Sequence, residues 1–219
     1  MATISRLYDT YEAAAEAVRN LLDAGIPGSD ISLVSNNSDN WYSAKSDGGT
    51  IKSATETVAR DRDGRDDRAE GAEAGAGIGG VAGGIVGLLT GLGLMAIPGV
   101  GPVVAAGWLV STAAGAVAGG AAGGIIGALT QAGTSEEDAS AYAEGIRRGG
   151  TLVTARVPDA DKARYEAILD RSSVNIRDRD AAWRNEGWQK FDQNAGPYTA
   201  DQVRRARESY RSRTSGLAR

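Results

Sequence analysis

Cysteine and histidine are both absent from this chain of 219 residues. Without cysteine, disulfide scaffolds and thiolate chemistry are excluded. Without histidine, the chain lacks the commonest general base and the commonest metal ligand, so Ser-His-Asp hydrolysis and histidine-bearing zinc sites are excluded too. The aspartates and glutamates are not spaced as a carboxylate-only magnesium or calcium site requires. We therefore expect no enzymatic activity, no cofactor and no metal.

Charge, glycine content and the N-terminal stretch exclude further classes. The net charge is −4, too small to imply a partner, and aromatic residues make up only 5% of the chain. Glycine is abundant, with 31 residues, but no Gly-X-Y period runs through the sequence, so a collagen-like chain is excluded. The opening stretch MATISRLYDTYEAAAE has no apolar core followed by a small-residue cleavage site. We therefore expect no secretory signal and a cytoplasmic location.

The first part of the chain has a strand–helix–strand pattern. Residues 2–8 and 30–35 are typical of strands. Between them, apolar residues recur at helical spacing behind Asp9 and Thr10, which are both candidate N-caps. The range 1–35 is therefore predicted to form the first half of an α/β domain.

The range 134–178 predicts the second half of the same domain. Ser135, followed by three acidic residues, is typical of a capped helix start. A strand is predicted over 151–157, a helix from Pro158, and a short fourth strand over 173–178. Joined together, the two halves predict an α+β fold, a split ferredoxin-like βαβ…αβαβ sandwich whose helices cover one face of the sheet.

A polar and charged stretch, residues 36–73, separates this first half from the middle of the chain. Its composition lacks any apolar periodicity, so we interpret it as a linker. The following GAGIGG at 75–80 matches the spacing of a dinucleotide-binding loop. Because that loop requires an apolar strand immediately before it, we reject a nucleotide site there.

A glycine-rich apolar phrase occurs twice in the middle of the chain. Residues 79–90 read GGVAGGIVGLLT and residues 119–130 read GGAAGGIIGALT, within a run from Ala74 to Ser135 that has no charged residue. The sequence IPGVGP interrupts this run and favours a chain reversal at Pro98, Gly99, Gly101 and Pro102. The segment 74–133 is therefore predicted to be an inserted helical hairpin, with helices at about 74–95 and 103–132.

Small residues, nearly all glycine, recur at every fourth position of both predicted helices, which places them on one ridge of each. These glycines are Gly75, Gly79, Gly83, Gly87, Gly91, Gly107, Gly115, Gly119, Gly123 and Gly127. An interior glycine disfavours a helix by about 1 kcal/mol relative to alanine, so close packing must compensate. Small residues at this spacing are typical of helices that pack tightly in lipid. We expect the ridges to be a helix-packing surface.

The first predicted helix is long enough to span a bilayer, since roughly 22 residues rise about 33 Å. Trp108 near the turn, and Arg68, Arg147 and Arg148 beside the hairpin, would then lie at a membrane interface. The positive-inside rule places both flanks on the cytoplasmic side. Because the turn has no charge to hold it in water on the far side, a re-entrant hairpin or one buried in a protein assembly fits as well.

Residues 179–219 form an arginine-rich tail. Trp183 and Trp188 are spaced by five, and Arg204 and Arg205 lie in the run PYTADQVRRARESYRSR. Arginine together with tyrosine also suits RNA or an anionic lipid surface. We expect the commoner arrangement, an amphipathic arm that docks on a neighbouring subunit, and consider nucleic acid an unlikely partner.

Both halves of the α/β pattern resemble a bacterial general stress protein family, the YflT-like domain. The resemblance is carried by ISRLYDTYEAAAEAVRNLLDAGIPGSDISLVS and by SEEDASAYAEGIRRGGTLVTARVPDADKARYEAIL, and it covers 3–35 and 134–178. Its most specific residues are Tyr142, Gly145, Arg147, Gly149, Gly150 and Leu152. The resemblance implies a stress-associated, non-enzymatic role, supplies no catalytic residue, and does not extend to the tail.

Together these patterns favour a structural function. We expect a homo-oligomer that self-assembles through its glycine-rich hairpin, in or on a membrane. The alternative is a lipid-free soluble oligomer or protein shell. A third interpretation is a small-ligand or nucleic-acid binding module, which a polar pocket with converging arginine and aspartate side chains would favour.

Overall fold

Strands from three separate parts of the chain form one antiparallel sheet. The computed structural model describes residues 1–42, 92–118 and 124–216. The sheet has five strands in the order β1-β5-β2-β4-β3. They are β1 (Ala2–Tyr8), β2 (Ile31–Asn36), β3 (Gly93–Ile97), β4 (Gly101–Gly107) and β5 (Thr151–Val157).

Helices occupy most of the remaining described chain. They are α1 (Tyr11–Asp23), α2 (Trp108–Ala118), α3 (Gly124–Gln131), α4 (Glu136–Arg147), α5 (Lys162–Leu169), α6 (Ile176–Asn185) and α7 (Ala200–Gly216). The mixture of helices with an antiparallel sheet confirms the predicted α+β class.

Local capping signals predicted two helix starts correctly. The Thr10 hydroxyl accepts a hydrogen bond from the Ala13 N–H at 3.2 Å, and α1 begins at the next residue after Thr10. The Ser135 hydroxyl accepts from the Asp138 N–H at 3.1 Å, and α4 begins directly after it. Each hydroxyl satisfies a backbone donor that has no partner within its helix, which is why serine and threonine mark these positions.

The predicted fourth strand at 173–178 is wrong. Val174 makes a single antiparallel bridge to Leu7, and the chain then turns into α6. The Asn175 side-chain oxygen accepts hydrogen bonds from the N–H groups of Arg177 and Asp178, at 3.1 and 3.4 Å. An N-cap of this kind starts a helix and ends the extended segment after one bridge.

Helices cover both faces of the sheet, so the expectation of a single covered face is wrong. Leu33 and Val153 face a core formed with α1 and α5. Val34 and Leu152 face a second core formed with α2, α3 and α4. Since successive residues of a strand point to opposite faces, β2 and β5 supply both cores and are buried along nearly their whole length.

The chain crosses the sheet twice in a similar way. β1 and β2 are each antiparallel to β5 and flank it, and α1 connects them. β4 and β5 are likewise each antiparallel to β2 and flank it, and the segment containing α2, α3 and α4 connects them. Each crossing therefore joins two parallel strands that are separated by a third.

The predicted helical hairpin is wrong where the structure describes it, since residues 93–107 form a β-hairpin. β3 pairs with β4 from Gly93 opposite Ala105 to Ile97 opposite Gly101. Val103 and Val104 lie in different cores, so β4 is apolar on both faces and lacks the polar alternation that distinguishes a strand from a buried helix. The second helix begins at Trp108, and the first predicted helix lies outside the described residues up to Gly91.

Candidate functional site

The C-terminal end of α4 carries a buried cluster of charges. The Glu144 side chain is fully buried, and its Oε1 accepts a hydrogen bond from the Arg148 Nε at 2.6 Å. Its Oε2 lies 3.5 Å from the Arg147 Nε without a hydrogen bond. The two arginine side chains are only 13% and 15% exposed. Burial opposes the charge of Arg148, but the hydrogen bond and the charge of Glu144 outweigh it and raise the pKa of this guanidinium.

Aromatic rings from the tail cover this charge cluster. The Arg148 guanidinium lies 4.9 Å from the centroid of the Trp183 ring, and that of Arg147 lies 4.8 Å from the Tyr198 ring. The Arg147 guanidinium also lies over the face of the Phe191 ring, 5.8 Å from its centroid. Cation–π contacts of this kind gain strength when the cation is desolvated. Arg147 and Arg148, which the sequence suggested for a membrane interface, are thus held within the domain.

The last helix docks on the Gly149 corner that follows the cluster. The Arg207 guanidinium donates to the carbonyl oxygens of Gly149 at 2.9 Å and Asn36 at 3.2 Å, and it forms an ion pair with Asp39. Val203, fully buried, packs on the same corner. We define residues 186–216 as the C-terminal arm, and these contacts attach its helix α7 to the end of α4 and to β2.

Gly149 permits this docking because it has no side chain. Its φ is +105°, in the region that favours glycine, and a Cβ atom there would lie 2.8 Å from Val203 Cγ1 and 3.0 Å from Arg207 Nε. Backbone conformation and close approach therefore both require glycine. The pair Arg147–Arg148 followed by Gly149, singled out by the family resemblance, is a docking surface for the arm in this structure.

The turn of the β-hairpin also lies beneath the arm. Val100 N–H donates to the Ile97 carbonyl at 3.0 Å, which closes a turn with Pro98 and Gly99 at its centre. A Cβ on Gly99 would lie 2.9 Å from Phe191 Cζ, and one on Gly101 would lie 2.6 Å from Pro197 Cβ. The chain reverses at Pro98 and Gly99 as predicted, but Gly101 and Pro102 belong to strand β4. The reversal is a β-turn packed against the arm and not the tip of a helical hairpin.

The predicted arm residues Trp183 and Trp188 are packed within the same chain. Trp183 is 2% exposed, its Nε1 donates to the Tyr210 hydroxyl at 3.2 Å, and its ring meets that of Trp188 at 5.7 Å. Arg179 stacks 3.8 Å from the centroid of the Tyr210 ring. The expectation that the arm docks on a neighbouring subunit is therefore not what the structure shows. Arg204, paired with Asp201, and Arg205 are exposed.

Few of the predicted helix-packing glycines fall among the described residues. Gly75, Gly79, Gly83, Gly87, Gly91, Gly119 and Gly123 lie outside them, as does Arg68, and Gly115 lies in α2. Gly107 ends β4 with φ +95°, and a Cβ there would collide with the Ile31 carbonyl oxygen. The assignment of Gly107 to a helix ridge is wrong, because this residue lies where β4 closely approaches β2. A Cβ on Gly127, in α3, would have no neighbour within 4 Å among the residues that the structure describes.

Trp108 is bound within the domain as well. Its Nε1 donates to the Asp30 carbonyl at 3.2 Å, and Arg156 lies 3.8 Å from the centroid of its ring. The residue therefore joins the start of α2 to the turn before β2 and to β5. Within the described ranges, no helix combines the length and apolar character needed to cross a bilayer, and no group of ligating side chains is placed to hold a metal ion.

Comparison of the chain with protein-family models, with curated proteins and with solved structures found no match. The site itself is a set of packing contacts, charges and rings, without a nucleophile beside a base. Sequence reasoning singled out its two ends, the turn at 98–102 and the arginine–glycine corner at 147–150. It missed Glu144, whose burial has no local signal in the sequence. It also missed Asp39 and Arg207, which pair with each other across a long stretch of the chain.

Proposed function

We propose that this chain is a non-enzymatic structural protein that self-associates through its glycine-rich apolar segment, at the cytoplasmic face of a membrane or inserted in it. The observation that carries the proposal is the uncharged run from Ala74 to Ser135. Its part from Leu92 onward supplies β3, β4, α2 and α3 to the sheet and the cores. The part from 74 to 91 adds glycines spaced by four and no charge, a composition typical of close helix packing.

One described glycine of the predicted stripe supports association between copies. A Cβ on Gly127 would meet none of the described residues within 4 Å, and Gly127 with Ile126 and Phe191 lines an open groove of about 910 Å³. A bare helix position allows another backbone to approach closely. Most of the remaining lining is polar or charged, including Glu136, Glu137, Arg184 and Lys190. None of the described residues fills this groove, and we propose that a second copy of the chain docks there.

The alternative is a lipid-free soluble oligomer or protein shell. The lipid part of the proposal depends on the sequence of 74–91 alone, whereas the open groove at Gly127 is equally suited to a protein-only contact. The exposed Arg204 and Arg205 are available to an anionic surface, and the other arm cations described above are used inside the chain.

A stress-associated role and the finer fold assignment are part of the same proposal. We infer the role from the resemblance of 3–35 and 134–178 to the YflT-like domain. The two crossings, each bracketing a third strand, support a split ferredoxin-like relationship. The second crossing covers the opposite face of the sheet, so we propose a variant of that arrangement and not a copy of it.

Light scattering on two ridge variants tests self-association. We expect Gly83→Leu and Gly123→Leu to reduce the native particle size, because a leucine fills the bare ridge on which a partner would pack. Particles of unchanged size in both variants would refute assembly through this segment. Fractionation of cell membranes after an alkaline carbonate wash then distinguishes lipid insertion from the lipid-free alternative. Retention in the membrane pellet supports lipid insertion, and recovery in the soluble fraction supports the lipid-free alternative.

A further inference from the structure

A polar cleft of about 490 Å³ lies at the outer edge of β1. Its walls come from β1, the first turn of α4, the end of α5 and the segment that leads into α6. Four charged side chains line it: Arg6, Asp138, Asp170 and Arg177. The volume falls within the range of about 300–1,000 Å³ that small-molecule sites occupy.

The floor of the cleft is already hydrogen-bonded. The Ser5 carbonyl accepts from the Tyr142 hydroxyl at 2.7 Å and from Arg6 Nη1 at 3.0 Å. The next outward carbonyl, that of Leu7, accepts from Val174 N–H at 2.7 Å. Because these acceptors of the strand edge are occupied, the cleft does not suit an added β-strand and is better matched to a small molecule.

Two of the four charged side chains form ion pairs within the protein, and the other two do not. Arg6 Nε lies 2.5 Å from Asp170 Oδ1, and Arg6 also lies 3.9 Å from Glu166, so its charge is balanced within the protein. Asp138 and Arg177 form no ion pair with any residue in the described ranges. The cleft thus presents one carboxylate and one guanidinium, carried on different elements, that remain available to a ligand.

We propose that this cleft binds a small zwitterion, a free α-amino acid or a short peptide. The ligand ammonium group pairs with the Asp138 carboxylate, and the ligand carboxylate pairs with the Arg177 guanidinium. Guanidinium–carboxylate contacts are strong when bidentate, and one cation with one anion fits a ligand that carries both charges. The Ser173 hydroxyl, also in the lining, adds a donor and an acceptor. This site is independent of the self-association proposed above.

Titration of the full-length protein with defined probes, followed by amide NMR shifts, tests the assignment. The probes are glycylglycine and L-alanine, with acetate and ethylammonium as ligands that carry only one of the two charges. We expect saturable shifts at residues around Asp138 and Arg177 with the zwitterions, and at least tenfold weaker binding of acetate and of ethylammonium. A tenfold loss corresponds to about 1.4 kcal/mol, close to the lower end of the roughly 1.5–3 kcal/mol expected for one hydrogen bond to a charged group.

Two variants and two matched controls complete the test. Asp138→Asn and Arg177→Gln should each weaken zwitterion binding at least tenfold. Asp138→Asn keeps the backbone N–H that Ser135 caps, so the helix start is preserved. Glu137→Gln and Arg171→Gln, which remove neighbouring exposed charges outside the lining, should bind as the unaltered protein does. The absence of saturable shifts, or equal weakening in the control variants, would overturn the proposal.

Discussion

Arg148 and Glu144 form a hydrogen-bonded ion pair, with 2.6 Å between Nε and Oε1, beneath the rings of Trp183 in α6 and Tyr198 in the C-terminal arm. The carboxylate is fully buried, and the two arginines around it are nearly so. A buried charge of this kind is tolerated only when partners balance it. The pair therefore ties the end of α4 to the correct placement of the arm.

Glu144→Gln should destabilise the protein by about 3 kcal/mol. Removing one partner of a buried ion pair typically costs about 3–5 kcal/mol, and the small remaining exposure of the arginines places this case at the lower end. Urea unfolding followed by circular dichroism measures the change. Glu137→Gln is the control, since Glu137 pairs with Arg184 in solvent and such pairs contribute about 0–1 kcal/mol. Equal losses in the two variants would show that the burial of Glu144 has no energetic consequence.

Gly149→Ala should release the arm. Alanine at positive φ costs about 1–2 kcal/mol, and its Cβ would also press on Val203 and Arg207, so we expect a total loss of about 3 kcal/mol. Gly25→Ala is the matched control, because Gly25 has φ +99° but no described residue lies within 4 Å of a Cβ there. Trypsin should cleave at Arg204 and Arg205 faster in Gly149→Ala than in Gly25→Ala. Similar cleavage rates would contradict docking of the arm at this corner.

Tyr210→Phe should cost about 1–2 kcal/mol in unfolding free energy. The Trp183 indole N–H, which is buried, would lose its acceptor, and an unsatisfied buried donor is costly. Tyr198→Phe is the control, since it keeps the ring that stacks on Arg147. Thermal unfolding compares the two variants. A larger loss of stability for Tyr198→Phe than for Tyr210→Phe would contradict the importance of the Trp183–Tyr210 hydrogen bond.

Alkaline pH should destabilise the fold through Tyr142. Burial raises the pKa of this phenol to about 12, from an ordinary value of 10. Between these values the unfolded chain loses the proton and the folded protein keeps it, so the stabilising contribution is complete below pH 10 and is lost as pH rises towards 12. A shift of this size corresponds to about 3 kcal/mol. Tyr142→Phe should flatten the decline of urea stability over this pH range. An unchanged slope would contradict the assignment.

The elements predicted correctly from sequence are those with local signals. Thr10 and Ser135 cap helices through hydrogen bonds to residues three positions away, so a short stretch of sequence contains the whole interaction. The strand at 151–157 was predicted with its correct bounds. β4 was missed because both of its faces are buried, which removes the two-residue alternation, and its glycines and alanines match a helical ridge equally well.

The candidate site could be predicted only at its ends. The turn at 98–102 has its own proline and glycine signals, and Gly149 follows a predicted helix. The Arg207 contacts to Asn36, Asp39 and Gly149 connect parts of the chain that are distant in sequence, and no pattern in any one part indicates the others. For the same reason, the tail was predicted to dock on another subunit when it docks on its own chain.

The native mass of the Gly127→Leu variant tests self-association through the glycine stripe most directly. A Cβ at Gly127 meets none of the described residues within 4 Å, so we expect the variant to keep its circular dichroism spectrum and melting temperature. Gly196→Leu is the control, since a Cβ at Gly196 also has no neighbour within 4 Å in the described part of the chain, and Gly196 lies outside the stripe. Light scattering should give a multi-subunit mass for the unaltered protein and Gly196→Leu, and a mass close to the 22.5 kDa of one chain for Gly127→Leu. A multi-subunit mass that Gly127→Leu leaves unchanged, or a single-chain mass for the unaltered protein, would contradict it.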